Sequence, residues 1–177
     1  MTENIKIFAY GSLLNEASLK STVPEASNIY PAKVYGFRRI FNLASHYRFC
    51  NRTHHPVCVL NLEKACPDTP MNGACFEMQA KSFEQLKSRE QIYTMHEVNV
   101  HRYYDDQLVD KAILFWAKDQ DLYAYLSASE AQHKYLSLCV EGCHAFSASF
   151  FHDFKMTTQF WNIEEESDIQ RIWQGNY

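Results

Sequence analysis

The end of the first apolar run is the feature that most constrains the fold of this chain. Residues 5–10, IKIFAY, are apolar on both alternating faces, which predicts a buried β-strand. The run stops at Gly11, one of only 5 glycines in 177 residues, and Ser12 follows it. A strand that ends at a glycine and a small hydroxyl residue favours a tight turn with exposed backbone N–H groups, which suits an anion or a developing negative charge. A turn with no further role is the alternative interpretation.

Length and charge narrow the class of protein. A chain of 177 residues suits one domain, 1–177, that buries roughly 70% of the surface of its unfolded form. The formal net charge of −4 gives no reason to expect nucleic acid or an anionic membrane as a partner. The first residues lack the basic and apolar regions of a secretory signal, and no apolar run reaches the ~20 residues of a membrane span. Six cysteines without a CxxC pair predict reduced thiols and a cytoplasmic location.

Apolar periodicity and turn residues predict a mixed α+β domain. Strands are predicted at 5–10, at 34–44 with a bulge or bend at Gly36, and at 57–63, 72–79, 98–106 and 110–117. The polar segment 45–56 is predicted to be a loop. Helices are predicted after Asn15, from Phe83 after the capping-box pattern 82–85, from Ser129 to a stop at Gly142, and through the Phe-rich segment 150–154.

One carboxylate falls on the apolar face of a predicted helix. At about 100° per residue, Phe83, Leu86, Glu90 and Tyr93 lie within a sector of roughly 80°. Burial raises the pKa of a carboxyl group, and a raised pKa suits a general base or acid near neutral pH. Two alternatives stay open: the helix ends before Glu90, or Glu90 pairs with Arg89 or another cation.

Several short motifs together resemble the gamma-glutamylcyclotransferase-like superfamily, in particular its bacterial, YGSL-type, ChaC-like members. They are YGSL at 10–13, GFRRIFN at 36–42, NGACFE at 72–77, REQIY at 89–93 and FFHDFKMTT at 150–158, in the family's order and spacing. The resemblance covers roughly 5–158, which makes 159–177 a C-terminal extension. It implies a small mixed β-barrel flanked by helices, with the YGSL turn and the glutamate facing each other across one cavity.

The resemblance also implies roles for six residues. Glu90 matches the family's catalytic glutamate, and the substrate-binding residues are matched by Tyr10, Gly11, Ser12, Leu13 and, lining the pocket, Tyr125. The implied enzyme is a gamma-glutamylcyclotransferase, of the transferase or lyase class, that converts a gamma-glutamyl compound to 5-oxoproline. It is expected to act on a small molecule as a monomer or weak homodimer, without metal or other cofactor. Leu13 stands where members acting on gamma-glutamyl dipeptides carry asparagine, so the dipeptide, amine or glutathione substrate stays open.

Other functions remain alternatives at this point. Cys50, His54, His55 and Cys58 carry metal-binding atoms, but C-x3-H-H-x2-C is not a standard zinc spacing. A cysteine nucleophile paired with a histidine has no local motif to support it. A binding module of the same fold could hold a small amino-acid-like ligand without turnover. The C-terminal segment could instead dock a partner through an apolar patch of Trp161, Ile169 and Trp173.

Overall fold

A computed structural model describes residues 4–175. The strands are β1 (Asn4–Ala9), β2 (Ser27–Tyr35), β3 (Phe37–Phe49), β4 (Pro56–Lys64), β5 (Pro70–Gln79), β6 (Thr94–Arg102), β7 (Leu108–Trp116) and β8 (Thr158–Phe160). The helices are α1 (Glu16–Thr22), α2 (Ala80–Arg89), α3 (Glu130–Phe146), α4 (Ala148–Met156) and α5 (Glu166–Trp173). A short 3-10 turn, Ser12–Leu14, follows β1.

Five strands form a closed barrel in the order β1-β5-β2-β6-β7. Strands β1 and β7 close the barrel by pairing in parallel, Ile7 with Ile113 and Phe8 with Leu114, while the other neighbours are antiparallel. The barrel is therefore mixed. The predicted α+β fold, a small mixed β-barrel flanked by helices, is confirmed.

A second sheet of three strands, in the order β4-β3-β8, lies beside the barrel. The chain enters this sheet after Gly36, whose φ of 81° turns it between β2 of the barrel and β3 of the second sheet. The bend predicted at Gly36 is present, but the single strand predicted over 34–44 was wrong, because this left-handed backbone conformation separates two strands. The loop predicted over 45–56 was also too long, since β3 continues to Phe49 and only 50–55 connect it to β4.

The two caps predicted at Asn15 and Ser129 are present. The Asn15 side chain accepts a hydrogen bond from the Ser18 N–H, and the Ser129 side chain accepts one from the Gln132 N–H. The predicted start of α2 was wrong, because the helix begins at Ala80 directly after β5, three residues before Phe83.

The prediction that α3 ends at Gly142 was wrong, because Gly142 lies inside the helix. A Cβ atom at this position would lie 2.4 Å from the carbonyl carbon of Leu14 and 2.5 Å from the Asn15 nitrogen. The glycine is needed because α3 packs directly against the backbone of the 3-10 turn, and the helix continues to Phe146.

The apolar core extends from the barrel to the C-terminal helix. Ile172 of α5 is buried, and the Trp173 ring lies 5.6 Å from the ring of Phe160 and 6.1 Å from that of Phe154 between centroids. Helix α5 thus folds back onto the domain, while Trp161 stays 40% exposed. No helix within 4–175 is long and apolar enough to cross a membrane.

Candidate active site

A cavity opens where β1, β4, α3 and the end of α2 meet. The turn residues Tyr10, Gly11, Ser12 and Leu13 form one wall, and Glu90 lies on the same cavity. The remaining lining side chains are mostly apolar or aromatic, among them Tyr47, Leu60, Ile92, Tyr93, Phe115 and Tyr135. The structure thus brings together five of the six residues singled out in the sequence.

Hydrogen bonds at the hydroxyl and at the backbone carbonyl of Tyr10 hold the turn in place. The hydroxyl of Tyr10 donates a 2.7 Å hydrogen bond to the carbonyl of Phe115, and its own carbonyl accepts one of 2.9 Å from Nε of Arg39. Burial raises the pKa of the Tyr10 hydroxyl well above its ordinary value, and the Glu90 charge adds to the effect. Tyr10 therefore stays protonated at neutral pH and holds the turn through hydrogen bonds.

The glycine of the turn faces a neighbouring tyrosine. A Cβ atom on Gly11 would lie 3.2 Å from the hydroxyl of Tyr135 and 3.7 Å from Cδ1 of Leu60. A side chain at position 11 would therefore crowd the Tyr135 hydroxyl, while its contact with Leu60 would be an ordinary one. The first N–H groups of such a turn have no acceptor within the turn itself, as at any helix start.

Arg39 supports the turn from behind and is fully buried, at 0% exposure. Besides the Tyr10 carbonyl, its guanidinium donates to Oγ1 of Thr157 at 2.6 Å, to Oδ1 of Asn72 at 2.9 Å and to the Asn72 carbonyl. It also stacks 4.2 Å above the centroid of the Phe154 ring. No carboxylate within 4–175 forms an ion pair with it, and burial lowers the pKa of Arg39 to about 10.

Glu90 is the C-cap residue of α2, one position after the last helical residue. Its side chain is only 13% exposed, and its Oε1 lies 3.5 Å from Nε of Arg89. Both alternatives drawn from the sequence thus hold in part, since the helix ends before Glu90 and Arg89 pairs with it. Burial raises the pKa of the Glu90 carboxyl, while the charges of Arg89 and Arg48 partly oppose that rise.

Arg89 connects this carboxylate to two other parts of the chain. Its guanidinium donates to the hydroxyl of Tyr47 at 3.0 and 3.2 Å and to Oγ1 of Thr22. These contacts hold the Arg89 fork in one orientation, so the position of the charge beside Glu90 is fixed by α1 and β3.

Two tyrosines hold the strand opposite the turn. Tyr93 donates a 2.8 Å hydrogen bond to the carbonyl of Leu60, and the Leu60 N–H donates one of 3.2 Å to the hydroxyl of Tyr135. Burial raises the pKa of both hydroxyls well above the ordinary value. The cavity wall is therefore built from neutral phenols whose positions depend on β4.

Tyr125 lies apart from this cavity. Its ring is buried against Phe41 and Phe160, at centroid distances of 5.1 and 5.0 Å, and it borders a different cleft. The structure does not bring it to Glu90 or to the turn.

The cysteines and histidines considered as metal ligands have other surroundings in the part of the chain that the structure describes. Cys50 lies 2.9 Å from the Ser129 hydroxyl, His54 occupies the connection between β3 and β4, and Cys58 is buried against the carbonyl of Tyr123. Within 4–175, no group of three or more His, Cys, Asp or Glu side chains could hold a metal ion.

Sequence reasoning missed three residues of this region: Tyr47, Arg48 and Tyr135. The first two lay in the segment taken for a loop, where an alternating strand pattern is hidden by polar residues. Tyr135 shares the i, i+4, i+8 face of α3 with Cys139 and Cys143, and all three are buried. That spacing was the available signal for a tyrosine pointing inward.

This architecture is the gamma-glutamylcyclotransferase-like fold. A solved structure named gamma-glutamyl cyclotransferase is similar to this chain, with a TM-score of 0.70, 14% identity, and coverage of 98% of this chain and 99% of that one. An uncharacterized protein from Homo sapiens has a TM-score of 0.69, 16% identity, and coverage of 97% and 99%. A yeast gamma-glutamyl cyclotransferase specific to glutathione has a TM-score of 0.63, 16% identity, and coverage of 88% and 97%.

Within that fold, the family is shown by sequence. The family model described as ChaC-like protein matches residues 5–159, so this chain belongs to the ChaC-like family. No curated protein matches the sequence closely enough to serve as a relative.

Proposed function

We propose that this protein is a gamma-glutamyl cyclotransferase that converts a gamma-glutamyl compound to 5-oxoproline and releases an amine or amino acid. The observation that carries the proposal is the shared cavity of Glu90 and the turn 10–13. Membership of the ChaC-like family and the names of two similar structures support it.

The reaction depends mainly on the orientation of the substrate and on proton transfer. The α-amino nitrogen of the substrate attacks its own γ-carbonyl carbon and forms the lactam C–N bond. The bond between that carbon and the leaving nitrogen then breaks. Because nucleophile and electrophile belong to one molecule, folding the substrate inside a narrow cavity supplies most of the required proximity.

Glu90 is the group we assign to proton transfer. Its ionised carboxylate accepts a proton from the α-ammonium group, which frees the nucleophilic electron pair, and returns a proton to the departing nitrogen. Burial raises its pKa toward the range where both steps are efficient, while Arg89 and Arg48 favour the ionised form that the first step requires.

The turn is the group we assign to the developing negative charge. The N–H groups at the start of the 3-10 turn, at Ser12 and Leu13, have no acceptor within the turn and suit the γ-carbonyl oxygen of the tetrahedral intermediate or the substrate α-carboxylate. Arg39 places a buried positive charge behind the same turn, through the Tyr10 carbonyl.

The test is an assay for 5-oxoproline with gamma-glutamyl amino acids, gamma-glutamylamines and glutathione. Glu90→Gln keeps the shape of the side chain but cannot take up the proton, so turnover should fall by roughly two to four orders of magnitude while ligand binding persists. Glu84→Gln is the matched control, because Glu84 lies on the same helix with a 75% exposed side chain.

Two outcomes would count against the proposal. Turnover by Glu90→Gln close to that of the parent would exclude Glu90 as the base. Tight binding of gamma-glutamyl ligands by the parent with no 5-oxoproline formed would instead identify a non-catalytic binding module.

A further inference from the structure

A second cleft lies between β2, β5, the turn after β6 and helix α4, and it shares no lining residue with the Glu90 cavity. Five of its lining residues matter here: Tyr103, Tyr104, Ser149, Asp153 and Met156. The buried Arg39 separates the two sites, because its guanidinium donates to Asn72 and Thr157 of this cleft and to the Tyr10 carbonyl of the turn. We call this space the α4 cleft.

Asp153 is the one carboxylate among the described residues that line the α4 cleft. Its Oδ2 accepts a 2.6 Å hydrogen bond from the hydroxyl of Tyr103, while its Oδ1 accepts none from residues 4–175. No Lys, Arg or His nitrogen in that range lies within ion-pair distance of it. One oxygen of this half-buried carboxylate is therefore available to a cation from outside the chain.

The other charged residue of the α4 cleft, Lys33, does not neutralise Asp153. Its Nζ lies 3.1 Å from Oδ1 of Asp106, and both oxygens of that carboxylate also accept from the Tyr35 hydroxyl, at 2.6 and 2.7 Å. Lys33 is thus balanced by a carboxylate outside the cleft lining. Burial and the bond to Asp153 raise the pKa of Tyr103 to about 12, so this phenol stays neutral. The charge left without a partner in the cleft is negative.

Aromatic and apolar side chains surround this carboxylate. The rings of Tyr103 and Tyr104 lie 4.9 Å apart between centroids, and the Tyr103 ring is held at 5.1 Å from that of Phe150. Tyr104 and Met156 are 70% and 73% exposed, the highest values for large hydrophobic side chains within 4–175. An aromatic face attracts a cation, and exposed apolar side chains grouped at a cleft are typical of a binding site.

We propose that the α4 cleft is a second ligand site, which binds a protonated organic amine between Asp153 and the rings of Tyr103 and Tyr104. The ammonium group donates a charge-assisted hydrogen bond to Oδ1 of Asp153 and lies against the tyrosine rings, while the aliphatic part of the amine contacts Met156. This inference does not depend on the proposed function, because the site lies outside the Glu90 cavity and needs no turnover.

Other ligands match the α4 cleft less well. A divalent metal ion takes several oxygen ligands, and within the described part of the chain no group of three or more His, Cys, Asp or Glu side chains could supply them. An anion would be repelled by Asp153, and an uncharged apolar molecule would leave that carboxylate without a cation. An amine with a short alkyl chain satisfies both the charge and the apolar rim.

The experiment is an NMR titration of the isotope-labelled full chain with n-butylamine and with n-butanol, which has the same alkyl chain and no charge. Butylamine should shift the amide signals of residues 103–104 and 149–157 to saturation, and butanol should bind at least about tenfold more weakly. Asp153→Asn should weaken butylamine binding about tenfold or more, and Tyr104→Leu, which keeps an apolar side chain without the ring, roughly two- to fivefold.

Two control variants locate the effect. Asp168→Asn removes the same charge from α5, where Asp168 pairs with Arg171 at 3.6 Å, and should keep the parental affinity for butylamine. Glu90→Gln should keep it as well. This second control matters because the proposed reaction releases an amine, which could itself bind near Glu90.

Three results would overturn the inference. Equal affinity for butanol would identify an apolar groove with no role for the carboxylate. Shifts confined to the turn 10–13 that disappear in Glu90→Gln would place the amine in the Glu90 cavity. The absence of any saturable shift in the α4 cleft would exclude the site. The comparison of amine with alcohol uses the parent protein alone, so it decides the question even where a variant fails to fold.

Discussion

Replacing Arg39 by methionine tests whether the buried network behind the turn stabilises the fold. Burial lowers the pKa of Arg39 from an ordinary 12.5 to about 10, which corresponds to about 3 kcal/mol of free energy against the charged form in the folded protein. Against this stand four hydrogen bonds from a charged donor, to oxygens of Tyr10, Asn72 and Thr157. At about 1.5 kcal/mol each, these hydrogen bonds outweigh the cost of burying the charge. Arg39→Met should therefore lower the free energy of unfolding by about 3 kcal/mol.

The assay is urea unfolding of the parent, Arg39→Met and the neighbouring Arg38→Met. Arg38 has a 42% exposed side chain that pairs with Glu63, so its removal should change the free energy of unfolding by less than about 1 kcal/mol. A free energy of unfolding for Arg39→Met within about 1 kcal/mol of the parent would refute this account, because leaving four buried acceptors without a donor should cost more than that.

Four further changes probe the site and its supports. Activity should fall as acid protonates Glu90, with a midpoint above the ordinary pKa of 4.5, in a pH–rate profile. Because the folded state disfavours the ionised carboxylate, Glu90 stabilises the protein at low pH, and this stabilisation is lost as pH rises through the raised pKa. In urea unfolding, Glu90→Gln should therefore be more stable than the parent near about pH 7 and equally stable near about pH 4. The reverse order would contradict the burial argument. Gly142→Ala should cost about 1 to 3 kcal/mol and weaken ligand binding in calorimetry, because its methyl group displaces the turn at Leu14; unchanged affinity would show that the turn tolerates the shift. Trp173→Ala should lower the free energy of unfolding by about 2 to 3 kcal/mol, whereas no loss would mean that α5 is not part of the core.

The elements that sequence predicted correctly are those with strong local signals. The apolar run that became β1 is buried on both faces, and the caps at Asn15 and Ser129 depend on a side chain and an N–H only three residues apart. The errors arose where tertiary contacts override local preference. Gly142 favours a helix end in isolation, yet packing against the turn keeps it inside α3.

The candidate site was predictable in part for the same reason. The turn 10–13 and Glu90 belong to short motifs, whereas Tyr47 reaches the cavity only because β3 extends beyond its apolar part. Tyr135 reaches it from a helix far along the chain. Residues that enter a site through long-range packing leave little trace in a single sequence.

The parallel pairing of β1 with β7 also sets the order in which this protein can be completed on the ribosome. Strand β1 can pair with β5 along one edge, but its other edge has to wait for Ile113 and Leu114, about a hundred residues later. At roughly 5 to 20 residues per second, that interval is about 5 to 20 s. Throughout it, the nascent chain carries an apolar strand edge and a turn with no helix α3 to pack against, so the site can form only after about four-fifths of the chain has emerged.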